Sequence, residues 1–154
     1  EMRGDTMTYE HNKTCPGCFK AKLIGGRCGN CGYNANDRKN LLALPEHTIL
    51  ARKYVVGKVL GVGGFGITYL SLDLSLNKLT AIKEYLPREI AGREAGSKTV
   101  KAHTDKEDEL YRYGIERFMQ EAQTLARFEH DSIVRIFDNT CPQVRRHVCK
   151  DGFK

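Results

Sequence analysis

A chain of 154 residues, 40% of them hydrophobic, has enough apolar content for a folded core, but no run of eighteen apolar residues that could span a membrane. Its formal charge of +6 is too dispersed for a phosphate track: residues 1–36 hold five basic side chains, Arg3, Lys13, Lys20, Lys22 and Arg27, against Glu1, Asp5 and Glu10. Nucleic acid is therefore not the expected partner.

Along the chain the first strong signal is Cys15, Cys18, Cys28 and Cys31, spaced C-x2-C-x9-C-x2-C. Each C-x-x-C turn brings two thiolates to one side of a metal, and two such turns complete a tetrahedral set, so residues 1–36 read as a four-cysteine zinc ribbon. Gly29 and Gly32 relieve the second turn, as Pro16 and Gly17 do the first. Iron in an S4 site is a competing reading, because tetrahedral sulfur suits either metal. Disulfides are another, disfavoured because no secretory apolar stretch precedes the cysteines. So short a module cannot build an adequate apolar core, and a metal contributing on the order of 10 kcal/mol would be what folds it. Contact with a protein partner is its expected role. Cys141 and Cys149 lack a matching turn and read as incidental thiols, and the five histidines are scattered.

Residues 37–53 read as a linker in which Leu41–Pro45 could dock on the downstream domain. Next comes LGVGGFGITYL, residues 60–70. Gly61, Gly63 and Gly66 fit G-x-G-x-x-G, which alone is shared by several folds and by plain flexible turns. Gly66, however, leads into Ile67, Thr68, Tyr69 and Leu70, whose β-branched, aromatic and apolar side chains predict a strand rather than a helix. Strand on both sides makes a hairpin, and glycines there let backbone amides approach anionic oxygens. Lys83 ends the apolar run Leu79, Ala81, Ile82. Either it snorkels to water, or an anion or carboxylate meets it. From about 107 to 128, Leu110, Tyr111, Ile115, Phe118, Met119, Ala122, Leu125 and Ala126 recur at helical steps. Glu121 shares that stripe and could face the sheet, or pair with Arg117 on a solvated flank.

LGVGGFGITYL, TAIKEYLP, ERFMQEAQTLARF and HDSIVRIFD, in that order, resemble the N-terminal lobe of a bacterial-type serine/threonine protein kinase over residues 54–139. The resemblance implies an α+β fold, a zinc ribbon followed by an antiparallel sheet and one helix. It also implies that Gly61, Val62, Gly63, Gly64, Phe65 and Gly66 cover the phosphates of magnesium-bound ATP. Lys83 would contact the α- and β-phosphates, and Glu121 would position Lys83. Leu60, Thr68 and Ala81 would wall the adenine, with Phe65 capping the loop tip. A reducing, cytoplasmic setting and a protein substrate for the intact enzyme follow from the same likeness.

Thr68 and Thr80 stand where that family usually has valine, adding hydroxyls to β-branched positions. The stretch 86–109 is longer than the family norm and reads as a surface insertion. No H-R-D-x-x-x-x-N, D-F-G or A-P-E segment is present, so this chain by itself is expected to be catalytically inactive and to bind ATP weakly or not at all. Residues 140–154 have no family likeness. A start at Glu1 and this tail imply a fragment of a longer kinase, cut or frame-disrupted. The strand between the third and fourth of the lobe should be missing, leaving 133–138 without a neighbour and the lobe marginal. The alternative function is a non-catalytic zinc-binding adaptor or pseudokinase remnant.

Overall fold

The computed structural model describes residues 8–128, 136–138 and 147–151. Strands β1 (Ile49–Leu50), β2 (Tyr54–Val62), β3 (Gly66–Asp73) and β4 (Lys78–Tyr85) form an antiparallel meander. Two short strands follow, β5 (Ala91–Gly92) and β6 (Lys101–Ala102), then helix α1 (Asp105–Leu125), β7 (Ile136–Asp138) and β8 (His147–Asp151). The architecture is α+β, as the sequence predicts: a curled antiparallel sheet with one long helix, preceded by the four-cysteine module.

Alternation along the strands gives the sheet two apolar faces. Val56, Ile67, Tyr69 and Ile82 lie in the larger core with Leu44, Leu50 and Leu86, whereas Val55, Leu70 and Leu72 pack with Phe19 of the cysteine module. At the β3–β4 turn Asp73 Oδ1 accepts bonds from the Ser75 amide at 2.8 Å and the Leu76 amide at 3.2 Å, and Asn77 takes φ +48°. This is side-chain capping of a turn by Asp, with Asn in the left-handed region. Helix α1 begins at Thr104, whose hydroxyl accepts from the Glu107 amide and donates to the Glu107 carboxylate, a T-x-x-E cap.

Two expectations are revised. The sheet order is β1-β2-β3-β4-β8-β7, so β8, drawn from the tail, pairs with both β4 and β7 and takes the place expected to be missing. Family likeness does not reveal such a strand, because an open sheet edge accepts any extended segment through its backbone groups. The stretch 86–109 is not merely a surface insertion either. Its β5–β6 hairpin buries Ala91 and Val100 in the core and carries Arg93 inward. Residues 129–135, including His130, lie outside the described residues, as does Cys141.

Candidate functional site

Each cysteine turn is closed by its own backbone bonds: the Phe19 amide to the Cys15 carbonyl at 2.8 Å and the Gly32 amide to the Cys28 carbonyl at 3.0 Å. Gly32 adopts φ +76°, and a Cβ on Gly17 would stand 2.7 Å from Tyr33 Cβ. The four sulfurs lie within 4.8 Å of one another, with Cys15–Cys31 at 3.7 Å and Cys18–Cys28 at 3.8 Å. A tetrahedral zinc–thiolate centre with bonds of about 2.3 Å requires sulfur separations of about 3.8 Å. The donor set therefore fits such an ion, and the separations are far beyond a disulfide bond of about 2.05 Å. The Gly17 amide donates to Cys15 Sγ at 3.2 Å and the Lys20 amide to Cys18 Sγ at 3.4 Å, contacts that stabilise thiolate sulfur. Burial pushes the Cys15 thiol up. At Cys28 burial acts the same way but is outweighed by the Cys31 and Asn30 amides and the neighbouring thiols, which bring it down to about 7.

The glycine hairpin joins β2 to β3, closed by the Gly63 amide bonding the Gly66 carbonyl at 2.8 Å. Its glycines are of two kinds. A Cβ on Gly66 would stand 2.0 Å from the Glu84 carbonyl oxygen, so packing alone demands glycine there. Gly61 and Gly64 have nothing within 4 Å of that position, and Gly63 meets only the Gly66 carbonyl at 3.9 Å. None of these three has positive φ. Among the described residues, neither close packing nor a positive φ calls for glycine at 61, 63 and 64. Val62 and Phe65 are exposed at the same tip, Phe65 to 75%.

Register aligns the expected adenine wall and the lysine. Thr68 pairs with Lys83 and Leu70 with Ala81, so Thr68, Ala81 and Lys83 share one face of the sheet, with Leu60 at the strand end leading into the hairpin. Phe118 of helix α1 packs against the larger core, its ring 5.9 Å from Lys83 Nζ. Glu121 is exposed, and no ion pair joins it to Lys83 among the described residues. Tyr85 accounts for this rotation. Its ring stacks on Tyr111 at 5.7 Å and tilts against Phe118 at 5.6 Å, and a Cβ on Gly114 would stand 1.9 Å from its hydroxyl. An aromatic wedge thus occupies the seam between β4 and α1. Gly114, inside an otherwise good helix former, was the available signal.

Sequence reasoning missed a buried charge pair behind the lysine. Glu84 and Arg93 both have side chains 0% exposed and form an ion pair; Tyr69 Oη donates to Glu84 Oε2 at 2.7 Å. The Leu44 amide donates to Tyr69 Oη at 3.0 Å and Arg93 Nη1 donates to the Leu42 carbonyl at 2.9 Å, pinning the connecting segment onto the sheet. Burial, followed by the Glu84 carboxylate, pushes the Tyr69 phenol up. Glu84 sits next to Lys83 in a run that reads as ordinary strand, and Arg93 lies in the stretch expected at the surface.

No protein-family model matches the chain. Over 91 residues, 59% of its length, it is 30% identical to a probable serine/threonine-protein kinase of Clostridium acetobutylicum, of which it covers 11%. The solved apo form of PpkA-294 matches it with a TM-score of 0.63 at 25% identity, over 73% of this chain and 40% of that one. The chain spans well under half the length of either. With the curled sheet and single helix, the chain is similar to the N-lobe of a bacterial serine/threonine kinase, preceded by a cysteine cluster compatible with a zinc ribbon. Among the described residues no helix is long and apolar enough to cross a membrane.

Proposed function

We propose that this chain is the nucleotide-binding lobe of a cytoplasmic protein serine/threonine kinase, coupled to a zinc-held module that contacts a protein partner. The observation that carries the reading is the trio Gly61, Gly63 and Gly64, side-chain-free where nothing among the described residues requires it. A ligand that needs close backbone approach supplies the reason, and amides directed at phosphate oxygens supply the chemistry. Leu60, Thr68 and Ala81 would wall the base, Phe65 would close the tip, and Lys83 would hold phosphate oxygens. Bound ATP with magnesium would supply the phosphoryl group passed to a serine or threonine hydroxyl.

Glu121 positions Lys83 in this scheme after α1 turns. Phe118 and Glu121 are three residues apart at about 100° per residue, so a rotation of about 60° exchanges one for the other at the lysine. Cys15, Cys18, Cys28 and Cys31 hold the metal, with zinc favoured over iron. Lys83→Met in the intact kinase is expected to abolish phosphoryl transfer to protein, assayed with radiolabelled ATP, while leaving the metal content at one ion per chain. Retained transfer would refute the role of Lys83. The zinc-adaptor alternative draws support from the Lys83–Phe118 contact. In the intact protein it predicts a thermal shift on chelation and none with ATP and magnesium, where the kinase reading predicts both.

A further inference from the structure

Two contacts join the first cysteine turn to the strand that delivers the glycine hairpin. Relative to β3, β2 carries an extra residue between Val56 and Val59 and another between Val59 and Gly61. At the first of these bulges the Lys58 amide donates to the Pro16 carbonyl at 2.9 Å, between Cys15 and Cys18. Gly57 makes that approach feasible: a Cβ there would stand 2.4 Å from the Pro16 oxygen and 2.7 Å from the Phe19 ring. The second contact is the Phe19 ring, buried against Val55, Leu70 and Leu72. By register this is the face that bears Thr68, Ala81 and Lys83, and Leu70 pairs directly with Ala81.

Phe19 holds φ +53°, a left-handed conformation disfavoured for a residue with a Cβ. Its amide is fixed by the Cys15 carbonyl inside the turn. The conformation that aims the ring into the sheet thus belongs to the cysteine turn, and four thiols without an ion have no bonds to maintain it.

We propose that the four-cysteine centre is a positioning device for the glycine hairpin. The ion fixes the turn, and the turn fixes the bulge of β2 through Pro16 and Phe19. Gly61, three residues beyond Lys58, takes its place from that bulge. Pro16, Phe19 and Gly57 are positioning residues, acting on the hairpin through β2. Loss of the ion releases the hairpin while the rest of the sheet stays paired. The inference rests on reading the four cysteines as a metal centre.

Nuclear magnetic resonance on the whole chain tests it in three states: zinc-loaded, stripped by chelator under reducing conditions, and reloaded with cobalt(II). Stripping is expected to speed exchange of the Lys58 amide about tenfold or more and to move the Gly61, Gly63 and Gly66 resonances. Amides of the β3–β4 ladder and of α1 keep their protection, and reloading slows the Lys58 exchange again. In Gly57→Ala, cobalt(II) retains its thiolate charge-transfer band, yet Lys58 exchanges fast in every state. Phe19→Ala serves as the second variant should Gly57→Ala fail to fold. Unchanged Lys58 exchange in a chain that binds cobalt(II) overturns the coupling, as does an equal acceleration across β4 and α1. Absence of the charge-transfer band instead overturns the metal reading beneath it.

Discussion

The cysteine module and the lobe reach a defined structure by opposite means. In the module, Cys15, Cys18 and Cys28 are themselves the buried cluster, with Ala21, Leu23 and Tyr33 packed around them. The lobe buries aliphatic and aromatic side chains on both faces of a sheet and encloses a fully desolvated ion pair. A short segment without a core depends on one centre whose removal is all-or-none. A sheet with a core spreads its stability over many contacts, yet concentrates risk at any buried charge.

The largest expected effect separates the two directly. Chelation, or Cys28→Ser, removes on the order of 10 kcal/mol of metal-linked folding free energy from the module. Resonances of residues 14–33 should collapse, while far-ultraviolet circular dichroism keeps the lobe's signal. Next comes the converse lesion. Arg93→Ala leaves Glu84 buried without its cation and should cost the lobe about 3–5 kcal/mol in urea unfolding, with the cobalt(II) spectrum of the module intact. Replacing both, as Glu84→Leu with Arg93→Leu, should cost less than Arg93→Ala alone, and a larger loss would show the pair to be more than mutual neutralisation. Thr104→Ala should cost about 1 kcal/mol through the lost helix cap, read as a lower urea midpoint at unchanged slope.

The smallest effect lies where module and lobe meet. Tyr9 Oη bonds His47 Nδ1 at 3.0 Å and His11 Nδ1 at 3.1 Å. Burial, and then the nearby His11, hold the His47 imidazole below its ordinary range, against the pull of Glu46. The unfolded chain therefore takes up a proton at higher pH than the folded one. This contribution is complete above the ordinary histidine pKa of about 6.5 and is lost as pH falls through the lowered value. Melting temperature should drop on acidification below that point, and less so in His47→Asn, whose side chain tolerates the φ of +66° at this position.

How far the sequence could be read differs between the two regions for a physical reason. Ligand spacing is a local property, so the four-cysteine set was legible from one residue type at fixed intervals, and its sulfurs converge as expected. The sheet and the helix were legible from period, with α1 displaced by only two or three residues because the Thr104 cap was not used. What stayed hidden depends on pairing across the fold. Period places Glu121 on the packed stripe but cannot see that Tyr85 inserts against Gly114 and hands the lysine to Phe118. Charge counts cannot see that Glu84 and Arg93, nine residues apart, meet in the core. Nor does the composition of the tail disclose that β8 would fill the sheet.

Pinning Leu42 and Leu44 to Arg93 and Tyr69 sets the length of a tether. Leu42 lies eleven positions beyond Cys31, a reach of at most about 35–40 Å when fully extended. A module shaken loose from β2 would remain at roughly millimolar effective concentration beside its docking face. Even a weak Phe19 contact is then sufficient to bring it home, and detachment becomes a brief excursion rather than a departure.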